Sequence, residues 1–170
     1  RPADTYETIE CWQHALNTLS TPSVMALTRQ KLAPVRKKFS KLNLSSFGAY
    51  ELENKSLNPA VTLFASGSEV NLAISVMKLL QKNKVSCRII SVPCFELFKK
   101  QSVKYQKKIK GKSKINVSIE AGVKMGWNDV CPENTYNFSI ESFGASAPYE
   151  ALYKHFGLSA EKIYKQIKKL

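Results

Sequence analysis

Apolar residues recur along this chain at two different periods, and the switches between them mark out its elements. Residues 5–19 place Ile9, Trp12, Leu16 and Leu19 three or four positions apart, the spacing of one apolar helix face. Asp4 with Glu7 supplies an N-cap and a capping-box partner, and Pro22 stops the helix. Val24 to Thr28 is a short apolar run that predicts a strand, with Arg29-Gln30 at its C-terminal end. Periodicity then disappears. Pro34, the basic Arg36-Lys37-Lys38 and the polar stretch 41–46 predict a linker over 34–47, with a second domain starting near Gly48.

From there the two periods alternate. Residues 60–65, 85–92, 115–120 and 136–140 predict four strands. Between and after them lie helical patterns: one with Val70, Ala73, Ile74, Met77 and Leu80 on a shared face, one over 95–109, a loop or short helix reaching Trp127, and two more over 148–155 and 159–169. Strands alternating with helices through short connections predict an α/β fold, an open and mainly parallel sheet with helices on both faces.

Composition narrows the classes. The chain has 170 residues, 44% of them hydrophobic, and no run approaches the roughly 20 apolar residues of a membrane span, which excludes collagen-like, disordered and membrane-spanning chains. It starts at Arg1 without a methionine or a signal-peptide pattern, so we expect a fragment of a longer polypeptide. Cys11, Cys87, Cys94 and Cys131 lie 76, 7 and 37 positions apart and beside apolar residues; we expect reduced core thiols in the cytoplasm, with no metal site and no disulfide scaffold. The net charge of +13 raises a nucleic-acid reading, but only four of the 26 basic residues are arginine, the side chain that base edges and phosphates favour. Eight lysines fall between Lys99 and Lys114 around a single aromatic, Tyr105, which predicts a solvated surface helix and no nucleic-acid partner.

Candidate chemistry is sparse. The strand-to-helix turn Ser66-Gly67-Ser68-Glu69 resembles an anion cradle, yet its acidic Glu69 opposes a phosphate, and a helix cap with an acidic first turn is the expectation. His14 and His155 stand in no nucleophile or metal pattern. Glu120 is the best-placed carboxylate, at a strand's C-terminal end where open α/β sheets bind ligands. One carboxylate without a partner defines no reaction, and the residues alone lead only to a soluble, basic α/β domain.

Seven blocks in order add more. Arg1-Pro2-Ala3-Asp4 with Glu7 and Trp12, Ala26-Leu27-Thr28-Arg29-Gln30, Gly48-Ala49-Tyr50, Ala65-Ser66-Gly67-Ser68-Glu69-Val70, Val92-Pro93-Cys94 with Phe98 and Gln101, Ile119-Glu120-Ala121-Gly122 with Gly126-Trp127, and Phe143 to Pro148 with Phe156-Gly157 together resemble the C-terminal part of transketolases. The resemblance covers essentially the whole chain. It implies that residues 1–33 are the end of a pyrimidine-binding domain, 34–47 a linker, and 48–170 the transketolase C-terminal domain.

The resemblance further implies a thiamine diphosphate- and Mg2+-dependent transferase that moves a two-carbon ketol unit from a ketose phosphate to an aldose phosphate in the pentose phosphate pathway, as a cytoplasmic homodimer. The family's catalytic, cofactor-binding and metal-binding motifs would lie before Arg1, so none is assigned here, and this chain alone is expected to bind no cofactor and to be inactive. One residue carries over. The family's arginine of the Ser/Thr-Arg-Gln turn binds the substrate phosphate, and that turn here is Thr28-Arg29-Gln30, which makes Arg29 the substrate-binding residue. The C-terminal domain is expected to serve stability and dimer contacts. Two alternatives stand beside this reading: another thiamine diphosphate enzyme with the same domain, such as a dihydroxyacetone synthase, a deoxyxylulose phosphate synthase or a 2-oxo acid dehydrogenase beta subunit, and a non-enzymatic basic interaction module.

Overall fold

Three strands with almost continuous apolar runs need cover on both faces, and they form the centre of a five-stranded sheet. In the computed structural model, which describes residues 1–37 and 40–170, these are β2 (Val61–Ala65), β3 (Cys87–Ser91) and β4 (Ile115–Ile119). Lys38, expected in the linker's basic run, lies outside the described residues together with Phe39. β1 (Tyr50–Asn54) and β5 (Thr135–Phe138) form the edges, in the order β1-β3-β2-β4-β5. Only β1 runs antiparallel, against β3; the remaining pairs are parallel, with Val61 opposite both Cys87 and Ile115. The sheet is therefore mainly parallel, and helices cover both of its faces.

Alternation along β2 divides the core. Val61, Leu63 and Ala65 meet α2 (Glu69–Lys82) and α7 (Ala160–Ile167), through Val70, Ala73, Met77, Leu80, Ile163 and Ile167. Phe64 and Ile90 point to the other face, against α3 (Phe95–Lys99), α4 (Val103–Lys110) and α5 (Trp127–Val130), through Phe98, Ile109 and Trp127. The helical region expected over 95–109 is two helices, because the Ser102 side chain accepts from Tyr105 N and starts a new one. On α4 Lys104, Lys107 and Lys108 face out, while Ile109 is buried and Tyr105 donates to Ala49 O at 2.9 Å. α6 (Tyr149–Phe156) precedes α7.

Four expectations need correction. The first helix, α1 (Thr5–Asn17), ends two residues early, where the Thr18 hydroxyl donates to His14 O. Its apolar face is not buried: Ile9, Trp12 and Leu16 are 62, 51 and 69% exposed, and the helix docks by its polar face instead. Residues 24–28 form no strand. A strand needs a neighbour's backbone, none of the five strands runs beside this segment, and Val24 is 94% exposed. Finally, the sheet has a fifth strand, β1, whose Tyr-Glu-Leu-Glu-Asn alternates but carries two charges that suit an edge.

Candidate functional site

Asp4 and Glu7 begin the construction of this region. Asp4 caps α1 by accepting from Glu7 N at 2.9 Å, and its second oxygen accepts from Val35 N and Arg36 N at 3.0 and 3.2 Å. Glu10 adds an ion pair to Arg36 at 2.8 Å and accepts two bonds from Ser45. α1 thus holds the chain at Val35 and Arg36 and again at Ser45, near the two ends of the 34–47 stretch. Glu7 is fully buried and accepts from Tyr50 Oη at 2.7 Å, Ser91 Oγ at 2.5 Å and Ala3 N at 2.7 Å. Burial raises its pKa above the usual carboxylate range, against the pull of those three donors.

Arg29 stands on the segment held this way. Its turn is closed by Gln30 N donating to Thr28 Oγ1 at 3.1 Å, and Asn71 Nδ2 of α2 donates to Ala33 O at 3.3 Å a few residues on. Ala26, Leu27 and Thr28 face Arg1, Gly67 and Ser68 across a cleft of about 250 Å³. Of the four arginines, three are committed internally. Arg1 pairs with Glu69 and Glu120, Arg36 pairs with Glu10, and Arg88 donates to Thr62 Oγ1, Glu51 and the Lys108 and Ile109 carbonyls. Arg29 is exposed and has no ion pair with any described residue.

The Ser66-Gly67-Ser68-Glu69 turn, expected as a side-chain helix cap, is instead a seat for a cation. α2 begins after Ser68, whose side chain makes no cap bond and instead donates to Glu69 Oε1 at 2.6 Å. The Arg1 guanidinium lies over Gly67, where an added Cβ would meet its Nη2 at 3.3 Å. It bridges fully buried Glu69, at 2.7 Å, and Glu120 at the end of β4. Burial works to lower the Arg1 pKa, and the two carboxylates outweigh it. Burial and the nearby Glu69 push Glu120 up, with Arg1 opposing. A diphosphate would meet both carboxylates here, so this loop does not suit that group.

The remaining candidates carry no chemistry of their own. His14 lies in the last turn of α1 beside Thr18, and the His155 ring packs edge-on against Phe156. The four cysteines are unpaired, and burial pushes the Cys11 and Cys87 thiols up to about 11, away from nucleophilic character. Among the described residues no group of three or more His, Cys, Asp or Glu is placed to hold a metal ion, and no helix is long and apolar enough to cross a membrane. What the region can do chemically is bind and orient an anion at Arg29. Nothing in the sequence marks Arg1 or Glu7 for these contacts, since only the fold brings Arg1 to Glu69 and Glu120 and Glu7 to Tyr50 and Ser91.

Comparison with known proteins bears on the family and the fold. The family model for the transketolase-like TK C-terminal domain matches residues 48–159. The transketolase of Rhodobacter capsulatus is 39% identical over 176 residues, covering 100% of this chain and 26% of its own length. The chloroplastic transketolase of Solanum tuberosum is 36% identical over 166 residues, covering 96% of this chain and 22% of its own. Among solved structures, the transketolase from Leishmania mexicana superposes with a TM-score of 0.89 at 34% identity, covering 100% of this chain and 24% of that one. The chain spans about a quarter of the length of the curated relatives it matches. Matched along its full length by the C-terminal part of enzymes that share its sheet and its helices, this chain belongs to the transketolase family.

Proposed function

We propose that this chain is the C-terminal portion of a transketolase, and that within the whole enzyme it supplies the arginine that holds the phosphate of the sugar substrate. Residues 1–33 are read as the end of the pyrimidine-binding domain, 34–47 as the linker, and 48–170 as the C-terminal domain. The exposed apolar face of α1 and the unpartnered run 24–28 support that division, because both need a sheet and core that the described residues do not provide.

The whole enzyme, a cytoplasmic homodimer in this reading, transfers a two-carbon ketol unit from a ketose phosphate to an aldose phosphate. Thiamine diphosphate with Mg2+ supplies the carbanion chemistry. No step is assigned to residues of this chain through that cofactor, since the one cradle-like loop is filled by Arg1 over two carboxylates. Arg29 acts at the far end of the sugar. Its planar fork suits the paired oxygens of a phosphate, and each bond is charge-assisted. Fixing that end sets the carbon skeleton's position at the reacting centre, a binding and orienting role with no part in bond making.

The carrying observation is that Arg29 is the one arginine left exposed and without an ion pair among the described residues, on a turn closed by Thr28. Ketol transfer by the longer protein tests it. Arg29→Ala is expected to remove about 1.5–3 kcal/mol, roughly ten- to 150-fold in kcat/KM, for phosphorylated sugars while sparing unphosphorylated ones. Equal loss on both substrate classes would remove Arg29 from the phosphate site. No ketol transfer by the unaltered longer protein would point to the interaction-module reading.

A further inference from the structure

Doubly wound sheets bind ligands beyond the carboxyl ends of their strands, where successive crossovers leave on opposite faces. Here that point lies between β2 and β4: the chain leaves β2 into α2 on one face and leaves β4 toward α5 on the other. The crevice already has an occupant, Arg1. Its nitrogen donates to Pro93 O at 2.8 Å and its carbonyl accepts from Gly67 N at 3.1 Å. Its guanidinium bonds Glu69 Oε2 at 2.7 Å, Ser66 Oγ at 3.2 Å and Glu120 Oε1. Glu69 is further held by the hydroxyls of Ser68 and Tyr153.

Two mostly buried carboxylates around one guanidinium make a poor source of stability, because desolvation offsets most of the attraction and an apolar plug would serve as well. What such a fork does supply is a single orientation. The parts it orients meet the Arg29 segment at two places. Arg1, Gly67 and Ser68 wall the cleft opposite Ala26–Thr28, and Asn71, in the first turn of the helix that Glu69 opens, donates to Ala33 O.

We propose that Arg1 is a positioning residue for the substrate-phosphate arginine: by locking the N-terminal end of α2 to the end of β4, it sets where the turn carrying Arg29 presents its guanidinium. The proposal rests on the assignment of Arg29 to that phosphate. Lysine in place of Arg1 keeps the charge but reaches one carboxylate at a time, so the lock loosens while the charge balance is kept.

The test compares Arg1→Lys with Arg29→Ala in the longer protein, using a phosphorylated and an unphosphorylated aldose acceptor. Arg1→Lys is expected to raise KM for the phosphorylated acceptor roughly ten-fold, with kcat and the unphosphorylated KM within about two-fold. Glu120→Gln, which cuts one arm and leaves the Glu69 pair, serves as a second variant should Arg1→Lys fail to fold, and is expected to raise the same KM several-fold. Unchanged parameters, or equal losses on both acceptors, beside a selective loss in Arg29→Ala would overturn the positioning role alone. If Arg29→Ala shows no selectivity, the Arg29 assignment falls and the proposal falls with it.

Discussion

Glu7 shows what single residues contribute to this molecule. A carboxylate with no exposure loses its hydration, and here three donors replace it: two hydroxyls on one oxygen and a backbone N–H on the other. Because burial raises its pKa in the folded state, the native protein takes up a proton more readily there than the unfolded chain does. The Glu7 contribution is therefore fully present below the unfolded value, near 4.5, and is lost as pH rises through the folded one. Glu7→Gln has no such titration and is expected to flatten that part of the stability profile, read from denaturant midpoints across mildly acid to neutral pH. With its oxygen turned to Tyr50 and Ser91, the amide NH2 would face Ala3 N–H, and that lost acceptor costs about 1–3 kcal/mol. A variant with wild-type slope and wild-type midpoint would contradict this account of Glu7.

At the scale of elements, α1 is informative because it docks the opposite way from its pattern. Ile9, Trp12 and Leu16 carry a clear helical period, and the helix forms, yet its contacts to the domain are made by Asp4, Glu7 and Glu10. Truncating Trp12 should therefore have unequal effects. In the isolated 170-residue chain, where Trp12 is half exposed, Trp12→Ala is expected to change stability by less than about 0.5 kcal/mol. In the longer protein, where the proposed pyrimidine-binding domain covers that face, the same change is expected to cost about 3–5 kcal/mol. Denaturant unfolding of the two proteins checks this, and equal effects would contradict the proposed domain division.

The same helix marks how far the sequence was legible. The buried strands β2, β3 and β4 and the apolar faces of α2 and α7 could be read directly, since fully covered elements carry unbroken or strictly periodic apolar runs. The charged edge strand β1 escaped notice because Glu51 and Glu53 hide the alternation of Tyr50 and Leu52. Residues 24–28 look like a strand and form none, because period reports a preference while the ladder depends on a neighbour. For the proposed site, Arg29 is marked by the resemblance of its Thr28-Arg29-Gln30 turn to the family's. The Arg1 bridge could not be singled out, since it joins residues 68 and 119 positions apart that only the sheet order brings together.

On the whole-molecule scale, charge and exposure separate general attraction from specific binding. The net charge of +13 comes mostly from lysines, and Lys104, Lys107 and Lys108 of α4 project into solvent, so their pull on any anion is diffuse and screened by salt. Arg29 differs by offering a directed fork on a turn tied to α2 at Ala33 and to α1 through Val35 and Arg36. The tests of Arg29, Arg1 and Trp12 all require the longer protein, because this chain is about a quarter of its relatives' length. A structure of that longer protein with a ketose phosphate bound addresses the central claim most directly. Phosphate oxygens are expected at about 2.7–2.9 Å from the Arg29 guanidinium nitrogens. A phosphate held by other groups, with Arg29 still facing solvent, would contradict it.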